Sequence, residues 1–151
     1  MEQFKSTLYR QTMFAEFERD MHLAYQNGET LTAEYLSNHY YELVKKYHGP
    51  SVTVDEAIAL EWSRIPHFYT PFYVYQYATS FAASFAIYEN ISKNKPNAFE
   101  KYVGLLKAGG SKYPIEEALE AGIDFTKKET FEAVTNRMDE LVNELEKLLK
   151  E

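Results

Sequence analysis

The 151-residue sequence contains no cysteine, one tryptophan, six glycines and five prolines. Without cysteine the chain forms no disulfide and has no thiolate for metal binding or nucleophilic catalysis, which is typical of a reducing compartment such as the cytoplasm. The sequence also lacks an apolar run of about eighteen residues and has no signal-peptide core after its charged start. We therefore expect neither a membrane-spanning helix nor export.

Positive charge is scarce, because 16 lysines and arginines stand against 23 aspartates and glutamates, for a net charge of −7. The excess lies in residues 114–151, which hold eleven acidic and five basic residues, and the remainder is nearly neutral. No basic stripe is left to bind a phosphate backbone, so we expect no nucleic-acid partner. We interpret the acidic end as a solvated helix face.

Histidines are few, and no two of the four lie four residues apart. The zinc motif His-Glu-x-x-His, which needs two histidines one helical turn apart, is therefore absent, and we expect no metal site in this chain. A di-iron Glu-x-x-His motif at His22 fails as well, since Arg19 stands where the acid would have to be. Glu18 and His22 are then expected to form an exposed pair one turn apart.

Strand signals are also missing, because no segment alternates polar and apolar residues and no Asn-Gly or Asp-Gly turn joins two strand-like runs. We predict an all-α fold, a multi-helix bundle in a single domain over residues 1–151. Apolar spacing and end signals predict helices over about residues 3–26, 33–47, 54–62, 71–92, 96–108 and 114–121, followed by a long last helix from about residue 127. Thr32 is expected to cap the second helix, and capping boxes that begin at Thr53 and Thr126 are expected to open the short third helix and the last helix.

The last helix shows a heptad seam over nearly three repeats. Its apolar residues recur at alternating steps of three and four, as Phe131, Val134, Met138, Leu141, Leu145 and Leu148. A coiled-coil dimer and packing against the chain's own helices both fit this pattern, and the second is the default at this length.

The sequence contains one unusually aromatic segment, residues 61–84, which reads EWSRIPHFYTPFYVYQYATSFAAS. Pro66 and Pro71 force the residues before them out of the helical region, so His67 is expected on a short irregular link. The tyrosines at 73, 75 and 77 are expected on the following helix, with Tyr73 and Tyr77 on one face and Tyr75 opposite. Phenol and imidazole groups that converge from a link and a helix suit hydrogen bonding to an oxyanion. Tyrosines on an amphipathic helix also serve as ordinary interface residues.

This segment resembles the C-terminal region of oligoendopeptidase F, a zinc oligopeptidase family related to thimet oligopeptidase. The resemblance covers essentially the whole chain, in the family's order, through FKSTLYRQTMFAEFERDMH, LTAEYLSNHYYELVKKYHG, WSRIPHFYTPFYVYQYATSFAASF and LLKAGGSKYPIEEALEAGIDF. It implies a helical enzyme that hydrolyses internal bonds of short peptides with a zinc-bound water. The chain departs from the family at the decisive point, because it lacks the His-Glu-x-x-His motif, which the family carries upstream of the matching region.

Residue by residue, the resemblance assigns His67 and Tyr77 to the family's His and Tyr that bind the substrate and the tetrahedral intermediate. The anchor is the run from Tyr77 to Phe81, with His67 ten residues before it. Tyr69 and Tyr73 are weaker candidates for substrate binding, and Tyr75 is expected to serve packing.

Two functions remain open from the sequence. The chain is either the substrate-binding portion of a peptidase, inactive without a zinc centre supplied by the missing N-terminal half, or a non-catalytic helical module that binds peptides or a partner in an aromatic Tyr-rich groove. Because a segment of a larger enzyme exposes apolar surface, we also expect a homo-oligomer.

Overall fold

The computed structural model describes residues 1–150. Within these residues all regular structure is helical, as predicted. The α-helices are α1 (Arg10–Gln26), α2 (Ala33–His48), α3 (Tyr75–Ser92), α4 (Ala98–Ala108), α5 (Pro114–Glu120) and α6 (Lys128–Leu148). A π-helical stretch, Phe4–Tyr9, precedes α1, and two 3-10 helices, Glu56–Arg64 and Pro66–Tyr69, lie between α2 and α3.

The chain forms two compact units. One comprises residues 5–78, and the other comprises Met1–Phe4 together with the chain from Thr79 onward. The prediction of a single domain stays a prediction. No helix among residues 1–150 has the length and apolar character that a membrane span requires.

In the unit of residues 5–78, helices α1 and α2 pack together and enclose an aromatic core. Phe17 and Tyr40 are completely buried, with ring centroids 5.2 Å apart in an edge-to-face arrangement. Phe14 and Phe68 complete the centre of this core, at a centroid separation of 5.7 Å. Edge-to-face aromatic pairs add to the free energy of simple area burial, so this cluster stabilises the unit beyond the area that it buries.

The second unit has a smaller core of alanines around Ile123, which is 2% exposed. Phe4 contacts Phe81 and Phe85 of α3 at centroid distances of 5.3 Å and 5.1 Å. The heptad seam of α6 is only partly buried, since Val134 is 1% exposed whereas Leu145 and Leu148 are 45% and 62% exposed. The far end of the seam therefore packs little apolar surface within this unit.

Helix boundaries followed the sequence signals in part. Thr32 caps α2 as predicted, accepting a hydrogen bond from the Tyr35 amide. The capping box expected at Thr53 is wrong, because Asp55 caps the 3-10 helix instead and accepts from the Ala57 amide. The box at Thr126 is also wrong, since the hydroxyl of Thr126 donates to Asp124, 2.6 Å away, rather than capping α6.

The start of α3 differs from the prediction in a way that matters for the site. The helix begins at Tyr75 rather than at Pro71, because Phe72 has a φ of 58°, in the left-handed region. An L-residue with a Cβ does not continue a right-handed helix from this conformation. Tyr73 therefore lies in the turn before α3, and only Tyr75 and Tyr77 lie on the helix.

Candidate functional site

His67 is held by a short 3-10 helix, Pro66–Tyr69, whose two ends are extended as the prolines predicted. Ile65 has ψ of 102° and Thr70 has ψ of 91°, and the Thr70 amide closes the turn on the His67 carbonyl at 3.0 Å. Phe68 packs inward against Phe14 and Phe17. This burial fixes the link, so the half-buried imidazole next to Phe68 projects from a rigid base.

His67, Tyr73 and Tyr77 come together as one cluster, as the sequence led us to expect for His67 and Tyr77. The Nε2 atom of His67 lies 3.4 Å from the Tyr77 hydroxyl. The Tyr73 ring stacks on the imidazole with centroids 5.7 Å apart and an interplanar angle of 18°. Tyr77 meets both other rings nearly at right angles, at 5.9 Å from His67 and 5.5 Å from Tyr73.

The two phenols of this cluster interact with each other. A hydrogen bond with Tyr73 raises the pKa of Tyr77 above its ordinary value, and partial desolvation raises the same pKa further. Tyr77 therefore keeps its proton at neutral pH and remains a hydrogen-bond donor. The 3.4 Å distance to His67 is long for a hydrogen bond between side chains, and catalytic contacts are often long before a substrate is bound.

Two further tyrosines of the segment are exposed to different degrees. Tyr69 is 82% exposed and Tyr75 is 50% exposed. The expectation that Tyr75 serves packing stays a prediction. Tyr69 remains a candidate only for contacts with a bound molecule.

Glu61 is buried and anchors the start of this region through a charge network that the sequence did not reveal. Its carboxylate accepts hydrogen bonds from Arg10 at 2.6 Å, Arg64 at 3.2 Å and the Tyr40 hydroxyl at 2.7 Å. Burial alone would raise the pKa of Glu61, but the hydrogen bonds from Arg10 and Tyr40 outweigh it and hold the pKa below its usual value. The i, i+3 spacing of Glu61 and Arg64 was the available signal for part of this network.

Glu18 is the second buried carboxylate, and here the expectation of an exposed pair with His22 is wrong. Glu18 is 1% exposed and accepts a hydrogen bond from the Phe72 backbone amide at 2.7 Å. His22 instead packs its ring against Phe72, with centroids 4.8 Å apart. Residues 18 and 72 are far apart in sequence, so no local pattern could have predicted this contact.

The residues of this chain do not fit the zinc ion that the family resemblance implies. Among residues 1–150, no three His, Asp or Glu side chains gather closely enough to hold a metal ion. His39 pairs with Asp20, at 3.0 Å, and stacks on Phe17, as expected for a histidine at the edge of the core. His48 contacts the Val44 carbonyl at 2.9 Å.

Comparison with known proteins places these features in a family. The model of peptidase family M3 matches residues 1–137. The chain is 49% identical over 149 residues to the oligopeptidase PepF of Bacillus subtilis and 48% identical over 145 residues to an oligoendopeptidase F homologue of Borreliella burgdorferi. These matches cover 99% and 96% of this chain but 22% and 25% of the two relatives.

The structural comparison agrees. The chain superimposes on a crystal structure of oligoendopeptidase-F from Enterococcus faecium with a TM-score of 0.94 and 47% sequence identity, covering 97% of this chain and 28% of the other. It thus spans about a quarter of the length of the relatives that it matches. The match of the family model over most of the sequence and the close agreement in fold show that the chain belongs to peptidase family M3.

Proposed function

We propose that this chain is the C-terminal substrate-binding portion of an oligoendopeptidase F-like peptidase that hydrolyses internal bonds of short peptides. In this proposal His67 and Tyr77 donate hydrogen bonds to the substrate and to the tetrahedral intermediate. The observation that carries it is the convergence of the two groups, 3.4 Å apart, on a rigid link and a helix. Membership of the M3 family supplies the class of reaction.

The geometry suits stabilisation of an oxyanion. When a peptide carbonyl is attacked, negative charge develops on its oxygen, and donors fixed in advance stabilise that charge without having to reorient. Tyr77 supplies an O–H that is protonated at neutral pH, as any phenol with an ordinary pKa is, and the hydrogen bond with Tyr73 and desolvation raise its pKa further from neutrality. The stacked ring of Tyr73 fixes the plane of the imidazole, so His67 presents its nitrogen in a defined direction.

Tyr73 and Tyr69 have a different proposed role. Both residues are exposed, at 40% and 82%, so each ring offers apolar surface with a polar tip to a bound peptide. We propose that they contact substrate side chains and that short peptides are the ligands of this surface.

We propose that the water nucleophile is activated by a part of the enzyme outside this chain. Oxyanion donors do not activate water, and a metallopeptidase needs an activated water for hydrolysis. The zinc ion of the family would supply that activation, and the residues of this chain do not fit it. We therefore propose that the 151-residue chain alone does not cleave peptides and that its partner is the zinc-bearing N-terminal remainder of such an enzyme, since this chain spans about a quarter of the relatives' length.

The direct test is hydrolysis of quenched fluorescent oligopeptides by the purified chain, with one equivalent of zinc and with excess chelator. We expect no cleavage under either condition. Chelator-sensitive cleavage by the chain would show that its histidines assemble a metal site, and the proposal would be wrong on that point.

A chimera tests the two residues. The region of the Bacillus subtilis relative that matches this chain, 22% of its length and 49% identical, is replaced by this chain. In an active chimera, Tyr77→Phe and His67→Gln should each lower kcat by about 10² to 10³-fold, as the loss of one oxyanion donor does, with a much smaller change in KM. Tyr25→Phe is the matched control, because Tyr25 is 71% exposed and lies outside the proposed site, and it should leave kcat within about twofold.

A chimera that keeps its full kcat with both Tyr77→Phe and His67→Gln would overturn the assigned roles. Binding of peptides by the 151-residue chain, combined with an inactive chimera, would favour the non-catalytic peptide-binding module instead. NMR titration of the chain with an oligopeptide, observed at the His67 ring, measures that binding directly.

Self-association and a cytoplasmic location stay predictions of the sequence. The exposed leucines at the far end of α6, Leu145 and Leu148, support a homo-oligomer because apolar side chains in such a row favour association. Sedimentation velocity over a range of concentrations checks this, and Leu145→Glu should shift the chain towards monomer.

A further inference from the structure

Glu18 is the most deeply buried charged side chain of the unit formed by residues 5–78. It lies in the middle of α1 and is 1% exposed. Its Oε1 accepts a hydrogen bond from the Phe72 backbone N–H at 2.7 Å. A carboxylate in such a position is costly unless strong hydrogen bonds compensate it, and a bond between a backbone amide and a carboxylate is of the strong, charge-assisted kind.

The residue that donates this hydrogen bond has a strained backbone. Phe72 has a φ of 58°, which bulky L-residues rarely adopt, and glycine would be the ordinary choice there. Its side chain is 51% exposed, with His22 as a ring neighbour, so burial of the side chain does not by itself explain the conformation. The hydrogen bond from its amide to the buried Glu18 carboxylate is a strong contact that stabilises this turn.

The conformation of this turn sets the position of the Tyr73 side chain. Tyr73 lies between Phe72, fixed by Glu18, and Val74, which is completely buried in the core. With both neighbours fixed, the direction of the Tyr73 side chain is set, and its ring stacks on His67 and contacts Tyr77. The same turn also sets the start of α3 and with it the position of Tyr77.

We infer that Glu18 is a positioning residue for the cluster of His67, Tyr73 and Tyr77. It holds Phe72 in the left-handed conformation and thereby keeps the Tyr73 ring stacked on the imidazole. The identity of the ligand that this cluster binds rests on the proposed function. The positioning of the cluster does not, because it is a property of the free chain.

The test uses NMR of the free 151-residue chain. Two signals are followed: the ring resonances of His67, which the stacked Tyr73 ring shifts, and the hydrogen exchange of the Phe72 amide. Glu18→Ala removes the acceptor, and Glu18→Gln keeps an acceptor oxygen of the same reach without the charge. Tyr73→Leu defines the His67 shift without the stacked ring.

With Glu18→Ala we expect the His67 resonances to move towards their values in Tyr73→Leu, and the Phe72 amide to exchange on the order of tenfold faster or more. With Glu18→Gln both signals should stay near those of the native chain, so the conservative variant rescues the position. Unchanged His67 resonances in a folded Glu18→Ala chain would overturn the inference.

Glu16→Ala separates positioning from a general loss of stability. Glu16 lies on the same helix and accepts hydrogen bonds from Lys46 at 2.6 Å and Tyr47 at 2.8 Å, away from the turn. Its replacement should lower stability without moving the His67 resonances. Equal movement of these resonances in both alanine variants would mean that Glu18 has no special role.

A second background keeps the test decisive if Glu18→Ala does not fold. In Phe72→Gly the turn adopts a positive φ without strain, so the same Glu18→Ala change should give a folded chain. There it should leave the His67 resonances close to those of Phe72→Gly alone. Movement as large as that caused by Tyr73→Leu would show that Glu18 does not act through the turn, and the inference would be wrong.

The peptide titration of the free chain then shows whether the positioned cluster is used. If Glu18→Ala moves the His67 resonances but peptide binding is absent even in the native chain, the positioning holds and the proposed function fails. If the native chain binds peptide and the resonances do not move, the proposed function stands and the positioning role is rejected.

Discussion

The Tyr40 hydroxyl donates a 2.7 Å hydrogen bond to the carboxylate of Glu61 inside the core of the unit formed by residues 5–78. Tyr40 is completely buried, and burial followed by this hydrogen bond raises its pKa well above the ordinary value. The same carboxylate accepts hydrogen bonds from Arg10 and Arg64. The contact thus connects the aromatic core to the segment that carries His67.

Replacing Tyr40 by Phe should destabilise the chain by about 1.5 to 3 kcal/mol, as the loss of a buried hydrogen bond to a charged group does. The ring volume is kept, so the effect measures the hydroxyl alone. Urea unfolding followed by circular dichroism gives the difference in unfolding free energy. Tyr25→Phe is the control, because Tyr25 is 71% exposed. Equal stability of the two variants would mean that the Tyr40 hydroxyl contributes nothing.

Lowering the pH should reduce the stability of the unit of residues 5–78 through protonation of Glu16 and Glu61. The hydrogen bond from Lys46 is the largest cause that lowers the pKa of Glu16, and the contacts of Glu61 also give it a net lowered pKa, both relative to 4.5. Because the folded pKa values are below the unfolded ones, the stabilisation is present above about pH 4.5 and is lost as the pH falls through the folded values.

Unfolding free energies measured between pH 6 and pH 3, at roughly half-unit intervals, check this dependence. Glu16→Gln removes one of the two titrating groups, so its stability should fall less steeply with acid than that of the native chain. A parallel fall in both proteins would show that Glu16 does not contribute.

Phe17 should be among the most sensitive positions of the core. It is completely buried and contacts Tyr40, Phe68 and Trp62 at centroid distances of 5.2 Å, 5.4 Å and 6.4 Å. Phe17→Ala leaves a cavity among these rings and should cost about 3 to 5 kcal/mol. Phe99→Ala, at a position that is 60% exposed, should cost less than about 1 kcal/mol in the same urea experiment. A similar cost at both positions would contradict the burial of Phe17.

Tyr73→Phe should lower the pKa of Tyr77 towards its ordinary value of 10.0, because the hydrogen bond with Tyr73 is the largest cause that raises it. The measurement is a pH titration of the chain labelled with ¹³C at the tyrosine Cζ, with the Tyr77 signal assigned by Tyr77→Phe. Tyr69→Phe should leave the pKa of Tyr77 unchanged. If Tyr73→Phe does not change this titration, the two phenols are not coupled.

Some of the local structure could be predicted from single residues because the cause is local. Pro66 and Pro71 make Ile65 and Thr70 extended, and the Thr32 hydroxyl caps α2, as the sequence indicated. The capping box at Thr53 failed because Asp55 caps the 3-10 helix by accepting from the Ala57 amide. The box at Thr126 failed because Thr126 donates both its amide and its hydroxyl to Asp124. Several polar side chains near a helix start can bond to the local backbone, and the motif alone does not rank them.

The sequence by itself determined the all-α fold, the family and the choice of His67 and Tyr77 as candidate site residues. Helical periodicity, proline positions and a long aromatic string are all visible in the amino-acid sequence. Tertiary structure decided the rest. The turn at Phe72 depends on Glu18, 54 residues earlier, and Glu61 is held by Arg10, 51 residues earlier. Contacts of this kind form only when burial strengthens a hydrogen bond between residues that no periodicity relates, so they belong to the folded chain and not to any segment of it.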